Sequence, residues 1–122
     1  MVIGRKPLVG AIVVLLPLLA TAMPAVEEQR VKRLLTRIET TESAVFIRNG
    51  REYTAGDAAE FLRSKCGGRL AEFANAEQLV RECAAHSSAS GEVYRIRLGS
   101  TAARPSAEVL GEWLRQAPAP KN

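Results

Sequence analysis

The sequence predicts one α+β domain in which helices cover one face of a two-stranded antiparallel ribbon. Four segments carry apolar residues at helical spacing, and two short segments have the composition or the alternation of strands. The predicted order is α-β-α-α-β-α. Because the two helices between the strands return the chain to the end of the ribbon that it left, the paired strands should be antiparallel. A two-stranded ribbon is not stable alone, so the helices must pack against it.

The first 22 residues have the pattern of a secretory signal peptide. Arg5 and Lys6 provide a positive start, residues 8–20 are uncharged and mostly aliphatic, and Ala20-Thr21-Ala22 fits the small-x-small cleavage rule. The apolar run is shorter than the roughly 20 residues that a membrane span needs, and Pro17 interrupts it. We therefore expect cleavage after Ala22 rather than a membrane anchor.

The mature chain is expected to be periplasmic and to hold a single domain over residues 23–117, followed by a disordered tail over residues 118–122. Loss of Arg5 and Lys6 with the leader lowers the formal charge from +4 to +2. That charge is too small to indicate nucleic-acid binding. We expect no stable membrane span after cleavage.

The first helix and the first strand are predicted from adjacent segments. Residues 26–39 fit a helix with a single apolar stripe, and residues 44–48 are rich in strand-forming side chains. Asn49-Gly50 ends the strand, because both residues accept a positive φ. The apolar stripe of this helix consists of Val31, Leu34, Leu35 and Ile38.

The two middle helices have clear start signals. Thr54 can cap a helix that continues to Cys66 and stops at a pair of glycines. Asn75, with Gln78 three residues later, predicts a capping box for the third helix, and His86 lies in the last turn of that helix.

A polar turn, a second strand and a fourth helix complete the chain. Residues 87–91 are small and mostly hydroxylated, and Ser106 is the predicted N-cap of the fourth helix. Residues 93–98 alternate strictly, which predicts a half-buried strand. One side of this strand carries Tyr94, Ile96 and Leu98, and the other carries Val93, Arg95 and Arg97.

Three fragments in order carry a resemblance to a known family. They are Phe46-Ile47-Arg48-Asn49-Gly50, then Leu62-Arg63-x-Lys65, then Ser87-Ser88-x-Ser90-Gly91-x-x-Tyr94. Together with the leader, this ordered set resembles the YfeK-like family of small secreted bacterial proteins, a domain of unknown function. The resemblance implies a periplasmic, single-domain α+β protein and implies no activity.

The chain departs from that family at two places. Val93 stands where members often carry proline before the tyrosine. Many members also carry cysteines that flank the strands, whereas Cys66 and Cys83 lie in predicted helices. A strand-linking disulfide is therefore not transferred from the family to this chain.

The two cysteines leave two states open. An oxidising compartment favours a bond between Cys66 and Cys83, but antiparallel neighbouring helices would place Cys66 nearer the connection than Cys83. A disulfide and a pair of buried free thiols both remain compatible with the sequence. A metal site with His86 as third ligand lacks an evident fourth ligand, so we expect no metal and no cofactor.

A hydrolase triad has little support in the sequence. It would need His86 and Asp57, the only histidine and the only aspartate, and Asp57 is explained by its place in the first turn of a helix. His86 and Ser87 are sequence neighbours, which seldom face each other on a helix. No Gly-x-Ser-x-Gly motif is present.

The candidate site lies at the end of the ribbon where the first strand ends and the second begins. An arginine, hydroxyls and turn amides can together hold a carboxylate or another anion. The same serines can alternatively serve only to satisfy free backbone groups at a helix end. The candidate binding residues are Arg48, Asn49, Ser87, Ser88, Ser90, Gly91 and Tyr94.

The predicted function is that of a non-catalytic binding or envelope-interaction module in the periplasm. Its partner would be an unidentified periplasmic or envelope component or a small anionic ligand, without a cofactor. The alternative is a small periplasmic hydrolase that uses a residue of the turn at 87–90. The binding module is favoured because no pair of base and nucleophile is recognisable in the sequence.

Overall fold

A computed structural model of the chain describes Gly4 and residues 23–116. The predicted signal peptide, its cleavage after Ala22 and the predicted tail at 118–122 lie outside the described residues. The elements are α1 (Ala25–Thr40), β1 (Ala44–Arg48), β2 (Arg51–Thr54), α2 (Ala55–Cys66), a 3-10 segment (Gly67–Glu72), α3 (Ala76–Leu79), a π turn (Val80–Ala84), β3 (Arg95–Leu98), β4 (Arg104–Pro105) and α4 (Ser106–Gln116).

The sheet has four antiparallel strands in the order β2-β1-β3-β4. The α+β class and the antiparallel pairing of the two predicted strands, β1 and β3, are confirmed. The prediction of a two-stranded ribbon is wrong, because β2 and β4 extend the sheet on either side. At the sheet centre, Phe46 stands opposite Tyr53 on one neighbour and opposite Ile96 on the other.

Both additional strands carry weak sequence signals. Asn49 (φ 50°) and Gly50 (φ 76°) form a two-residue hairpin turn that returns the chain directly into β2. The β2 sequence Arg-Glu-Tyr-Thr is polar and mostly exposed, since only Tyr53 turns partly inward. The strand β4 is two residues long and contains Pro105, which sheets tolerate at an edge.

The hydrophobic core lies between the sheet and the helices. Phe46 and Ile96 are buried on the helix-facing side of the sheet, whereas Val45 and Arg97 on the opposite side are only partly buried. The predicted stripe of α1 is buried as expected, and α4 buries an apolar stripe of its own. They consist of Val31, Leu34, Leu35 and Ile38 in α1, and of Val109, Leu110, Trp113 and Leu114 in α4.

The predicted N-caps of α2 and α3 are confirmed, whereas the predicted N-cap of α4 is wrong. The side chain of Thr54 accepts a hydrogen bond from the amide of Asp57 (3.1 Å), and that of Asn75 accepts one from the amide of Gln78 (2.8 Å). Ser106 instead begins α4 fully buried. Its hydroxyl donates to the carbonyl of Ala84 (3.0 Å), because the preceding β4 strand brings it against the π turn.

The third predicted helix is shorter than expected. The α-helix ends at Leu79, and the chain continues as the π turn to Ala84. His86 lies beyond both and forms an isolated antiparallel bridge with Val93. His86 therefore belongs to the sheet end rather than to a last helical turn.

A polar network joins the starts of α1 and α3. Arg30 donates to Glu27 (2.9 Å) and to Glu77 (2.5 Å), while Glu27 also accepts from the amide of Ala76 (3.0 Å). The hydrogen bond from Arg30 holds the pKa of the Glu77 carboxyl below its ordinary value.

Within residues 23–116 no helix is both long and apolar enough to cross a membrane.

Candidate functional site

The structure brings the β1–β2 turn and the serine-rich turn into contact. The hydroxyl of Ser90 donates to the side-chain oxygen of Asn49 at 3.0 Å. Asn49 is held at φ 50°, a conformation that asparagine tolerates better than most residues. The two ends of the predicted site therefore meet through Asn49 and Ser90.

The serine hydroxyls mainly build their own turn. Ser87 is 6% exposed, and its hydroxyl oxygen accepts from the amide of Ser90 (3.2 Å). The hydroxyl oxygen of Ser90 accepts a hydrogen bond from the amide of Glu92 (3.2 Å). The amide of Gly91, whose φ is 74°, donates to the carbonyl of Ser87 (2.8 Å) and so closes the turn. Ser88 is exposed. Among the described residues, none of these hydroxyls is hydrogen-bonded to His86 or to a carboxylate.

Arg48 forms no hydrogen bond with the described serines and packs instead against two aromatic rings. Its guanidinium carbon lies 3.9 Å from the ring centroid of Phe61 and 4.8 Å from that of Tyr53. Its Nη2 also donates to the hydroxyl of Tyr53 at 3.1 Å. Stacking of this kind attracts the cation to the ring faces and fixes the plane of the guanidinium.

Tyr94 and Lys65 form a second pair of aromatic ring and cation. Lys65 Nζ lies 4.8 Å from the ring centroid of Tyr94 and donates to the Tyr94 hydroxyl (3.2 Å) and to the carbonyl of His86 (2.7 Å). Tyr94 is 6% exposed and meets Phe61 edge to face, with centroids 6.1 Å apart. Phe61 thus connects the two pairs.

These side chains surround a narrow cleft at the end of the sheet, which we call the Arg48 cleft. Its volume is about 30 Å³, room for roughly one or two water molecules. Lys65 contacts Tyr94 but is not part of the lining. The lining residues are Phe46, Ile47, Arg48, Tyr53, Ala58, Phe61, Leu62, Ala84 and Tyr94. The cleft is therefore apolar, with one charged group and two phenol groups in its wall.

The cations of this region lack acidic partners. Within residues 23–116, neither Arg48 nor Lys65 forms a salt bridge. Elsewhere in the same part of the chain a carboxylate pairs with each of Arg30, Arg63, Arg69, Arg97 and Arg104. The positive charge at the Arg48 cleft is therefore not neutralised by the described residues.

A disulfide holds the wall beside the cleft. Cys66 and Cys83 are bonded, with an S–S distance of 2.22 Å and a Cα–Cα distance of 5.9 Å. This is one of the two states that the sequence left open. The bond joins the end of α2, one residue after Lys65, to the π turn, one residue before Ala84. The argument against contact failed because α3 is a single turn, so the chain between the cysteines is not a pair of long antiparallel helices.

Tyr53, Phe61 and Lys65 are the members of this region that the sequence analysis missed. Alternation along β1 places Arg48 on the same face as Phe46, and a two-residue Asn-Gly hairpin would place Tyr53 opposite Phe46. Those two rules could have found the stack of Arg48 and Tyr53. No group of three or more His, Cys, Asp or Glu side chains in the described part of the chain is arranged to hold a metal ion.

Comparisons with known proteins find one matching family and a related protein. A model of a family of unknown function, DUF5329, matches residues 25–118. The chain is also 31% identical over 91 residues to the protein named "Uncharacterized protein YfeK" of Salmonella typhimurium, which covers 74% of this chain and 76% of that protein. No solved structure matches the chain.

Proposed function

The chain belongs to the DUF5329 family of unknown function, and on that premise we propose that it is a non-catalytic binding module of the bacterial periplasm. The Arg48 cleft is its binding surface, and the adjoining turns of Asn49 and residues 87–91 form the rim. The partner is an envelope component or a small ligand that carries negative charge.

Export is supported by two independent features. The first 22 residues fit a cleaved leader, and the Cys66–Cys83 disulfide is of a kind that persists in oxidising compartments and is rare in the cytosol. The same disulfide joins the end of α2 to the π turn beside the Arg48 cleft.

The observation that carries the binding role is the state of Arg48. An arginine held against two aromatic rings, without a carboxylate partner among the described residues, keeps its charge and most of its donors for a partner. Five of the twelve arginines in residues 23–116 are paired with carboxylates, so it is the stacking on two rings, more than the lack of an acid, that sets Arg48 apart. Arginine and tyrosine side chains are also enriched among the residues that contribute most to protein recognition.

An enzyme is less well supported at this place. The hydroxyls of Ser87 and Ser90 serve backbone amides of their own turn. Within the described residues no histidine or carboxylate lies within hydrogen-bond reach of either hydroxyl, whereas activation of a serine nucleophile requires such a base.

The test is capture of a partner from the native envelope by the exported chain. Three tagged forms are compared after chemical cross-linking in living cells: wild type, Arg48→Met and Arg51→Met. Methionine keeps an apolar stem against Phe61 while removing the charge. Arg51 is the matched control, because it stands opposite Arg48 in the hairpin and is exposed.

We expect the wild type and Arg51→Met to capture the same partner and Arg48→Met to lose it, with all three forms equally folded by circular dichroism. Equal capture by Arg48→Met and the wild type would show that the Arg48 cleft is not the binding surface.

A further inference from the structure

The side of the sheet that faces away from the helices is a second surface with a definite pattern. Alternation along the strands directs Phe46 and Ile96 into the core and turns their chain neighbours to the opposite side. None of the residues on that opposite side belongs to the hydrophobic core of the described chain. We call it the outer face, and it consists of Val45, Ile47, Glu52, Thr54, Arg95, Arg97 and Pro105.

The strand pairing arranges the outer face around the central strand β1. Val45 and Ile47 form an apolar strip along β1. Ile47 has Glu52 of β2 directly opposite on one side and Arg95 of β3 directly opposite on the other. The strip therefore carries an acidic side chain on one flank and a basic side chain on the other.

The charges on the two flanks are only partly used within the molecule. Arg97 donates to Oε1 of Glu52 at 2.7 Å, whereas no described residue donates to Oε2 of the same carboxylate. Arg95 is exposed, and within residues 23–116 its side chain forms no salt bridge or hydrogen bond. One carboxylate oxygen and one complete guanidinium, on opposite flanks of the apolar strip, thus remain for a partner.

This pattern is complementary to itself. A two-fold axis above the outer face and roughly parallel to β1 brings a second copy face to face with the first and exchanges the two flanks. The β1 strands then lie over each other, and Glu52 of each copy stands opposite Arg95 of the other. Packed sheets are about 10 Å apart, a gap that a glutamate and an arginine side chain together can span.

The geometry points to the outer face as a contact between two copies of this chain. The apolar strip of Val45 and Ile47 forms the centre of the contact, and two symmetric pairs of Glu52 with Arg95 fix its register. A two-fold axis perpendicular to the strands would instead stack β3 on β3 and oppose its arginines, which electrostatic repulsion disfavours. Arg48 lies on the other side of the sheet, so this contact does not depend on the function proposed above.

The contact is expected to be weak and reversible. The strands are four or five residues long in β1, β2 and β3, which gives the outer face an area of roughly 300 Å² per copy. An interface of this size is at the low end of specific contacts, so we expect a dissociation constant of roughly 0.1–1 mM.

The test is sedimentation velocity of the exported protein at concentrations from about 10 μM to about 1 mM, which covers the expected dissociation constant. The wild type is compared with Arg95→Glu, with Glu52→Arg, with an equimolar mixture of these two variants, and with Arg51→Glu. Arg51 is the matched control, because it is exposed and adjacent to Glu52 but lies on the helix-facing side of the sheet. Circular dichroism verifies that every form is folded.

We expect the wild type and Arg51→Glu to dimerise with dissociation constants that agree within about twofold. Arg95→Glu and Glu52→Arg should each remain monomeric, because like charges would face each other twice in each dimer. The mixture of the two should dimerise again, since each introduced charge meets its opposite on the other variant.

Three results would overturn the proposal. The first is a wild type that stays monomeric up to about 1 mM. The second is a dimer that Arg95→Glu forms as well as the wild type, or that Arg51→Glu loses as completely as Arg95→Glu. The third is a mixture of Arg95→Glu and Glu52→Arg that fails to associate although the wild type dimerises, because the two-fold arrangement requires that rescue.

Discussion

Reduction of the Cys66–Cys83 disulfide is expected to lower the free energy of unfolding by about 3 kcal/mol. The cysteines are 17 residues apart, and closing a loop of that length removes about 3 kcal/mol of chain entropy from the unfolded state. For a domain of this size, such a loss corresponds to a fall in Tm of roughly 10–25 °C. The bond therefore accounts for a large share of the stability of an ordinary domain of this length.

Urea unfolding, followed by the fluorescence of Trp113, measures this loss. Trp113 is the only tryptophan and is buried between α4 and the rest of the core, so its emission reports tertiary packing. The oxidised protein is compared with the same protein in a thiol reductant and with the double variant Cys66→Ala/Cys83→Ala.

The double variant separates two contributions. Both sulfurs are buried, with exposures of 1% for Cys66 and 0% for Cys83, so alanine adds a packing loss that reduction alone does not. The variant should be at least as destabilised as the reduced wild type, and its unfolding should not respond to reductant. A difference of less than about 1 kcal/mol between oxidised and reduced wild type would refute the loop-closure reasoning.

Three further predictions concern acid stability, the serine turn and export. Because the pKa of Glu77 is lower in the folded state than its ordinary value of 4.5, its pairing with Arg30 stabilises the fold above that pH and is lost as the pH falls through the folded pKa. As the pH is lowered, the Tm of Glu77→Gln should therefore fall less than the Tm of the wild type. Ser87→Ala should lower the free energy of unfolding by about 1 kcal/mol in urea, and Ser88→Ala by less than about 0.5. Mass spectrometry of the exported chain should show cleavage after Ala22.

Each of these has a clear contrary result. An unchanged acid profile in Glu77→Gln would mean that other carboxylates set the acid limit, and equal effects of the two serine substitutions would mean that the Ser87 hydroxyl does not hold the turn. Retention of the leader on the exported protein would exclude cleavage and favour an anchored form.

The helices and their starts follow from local sequence. The buried stripe of α1 repeats at helical spacing, and the side chains of Thr54 and Asn75 cap the helices where the sequence predicts. The alternation of Tyr94 and Ile96 with exposed neighbours likewise predicts β3 and its buried face. All of these features depend on residues that lie close together in the sequence.

The extent of the sheet and the composition of the site depend on contacts between distant segments. Arg48 was expected beside the serines, yet it packs on Phe61, and only Asn49 reaches Ser90. The sequence by itself determined the α+β class, the helix stripes and the two central strands, because these follow from short-range periodicity. Only the tertiary structure decided which ring Arg48 covers and which cysteine state the fold holds, because pairing of β1 with β3 joins segments about 50 residues apart, and no local pattern specifies which side chains then meet.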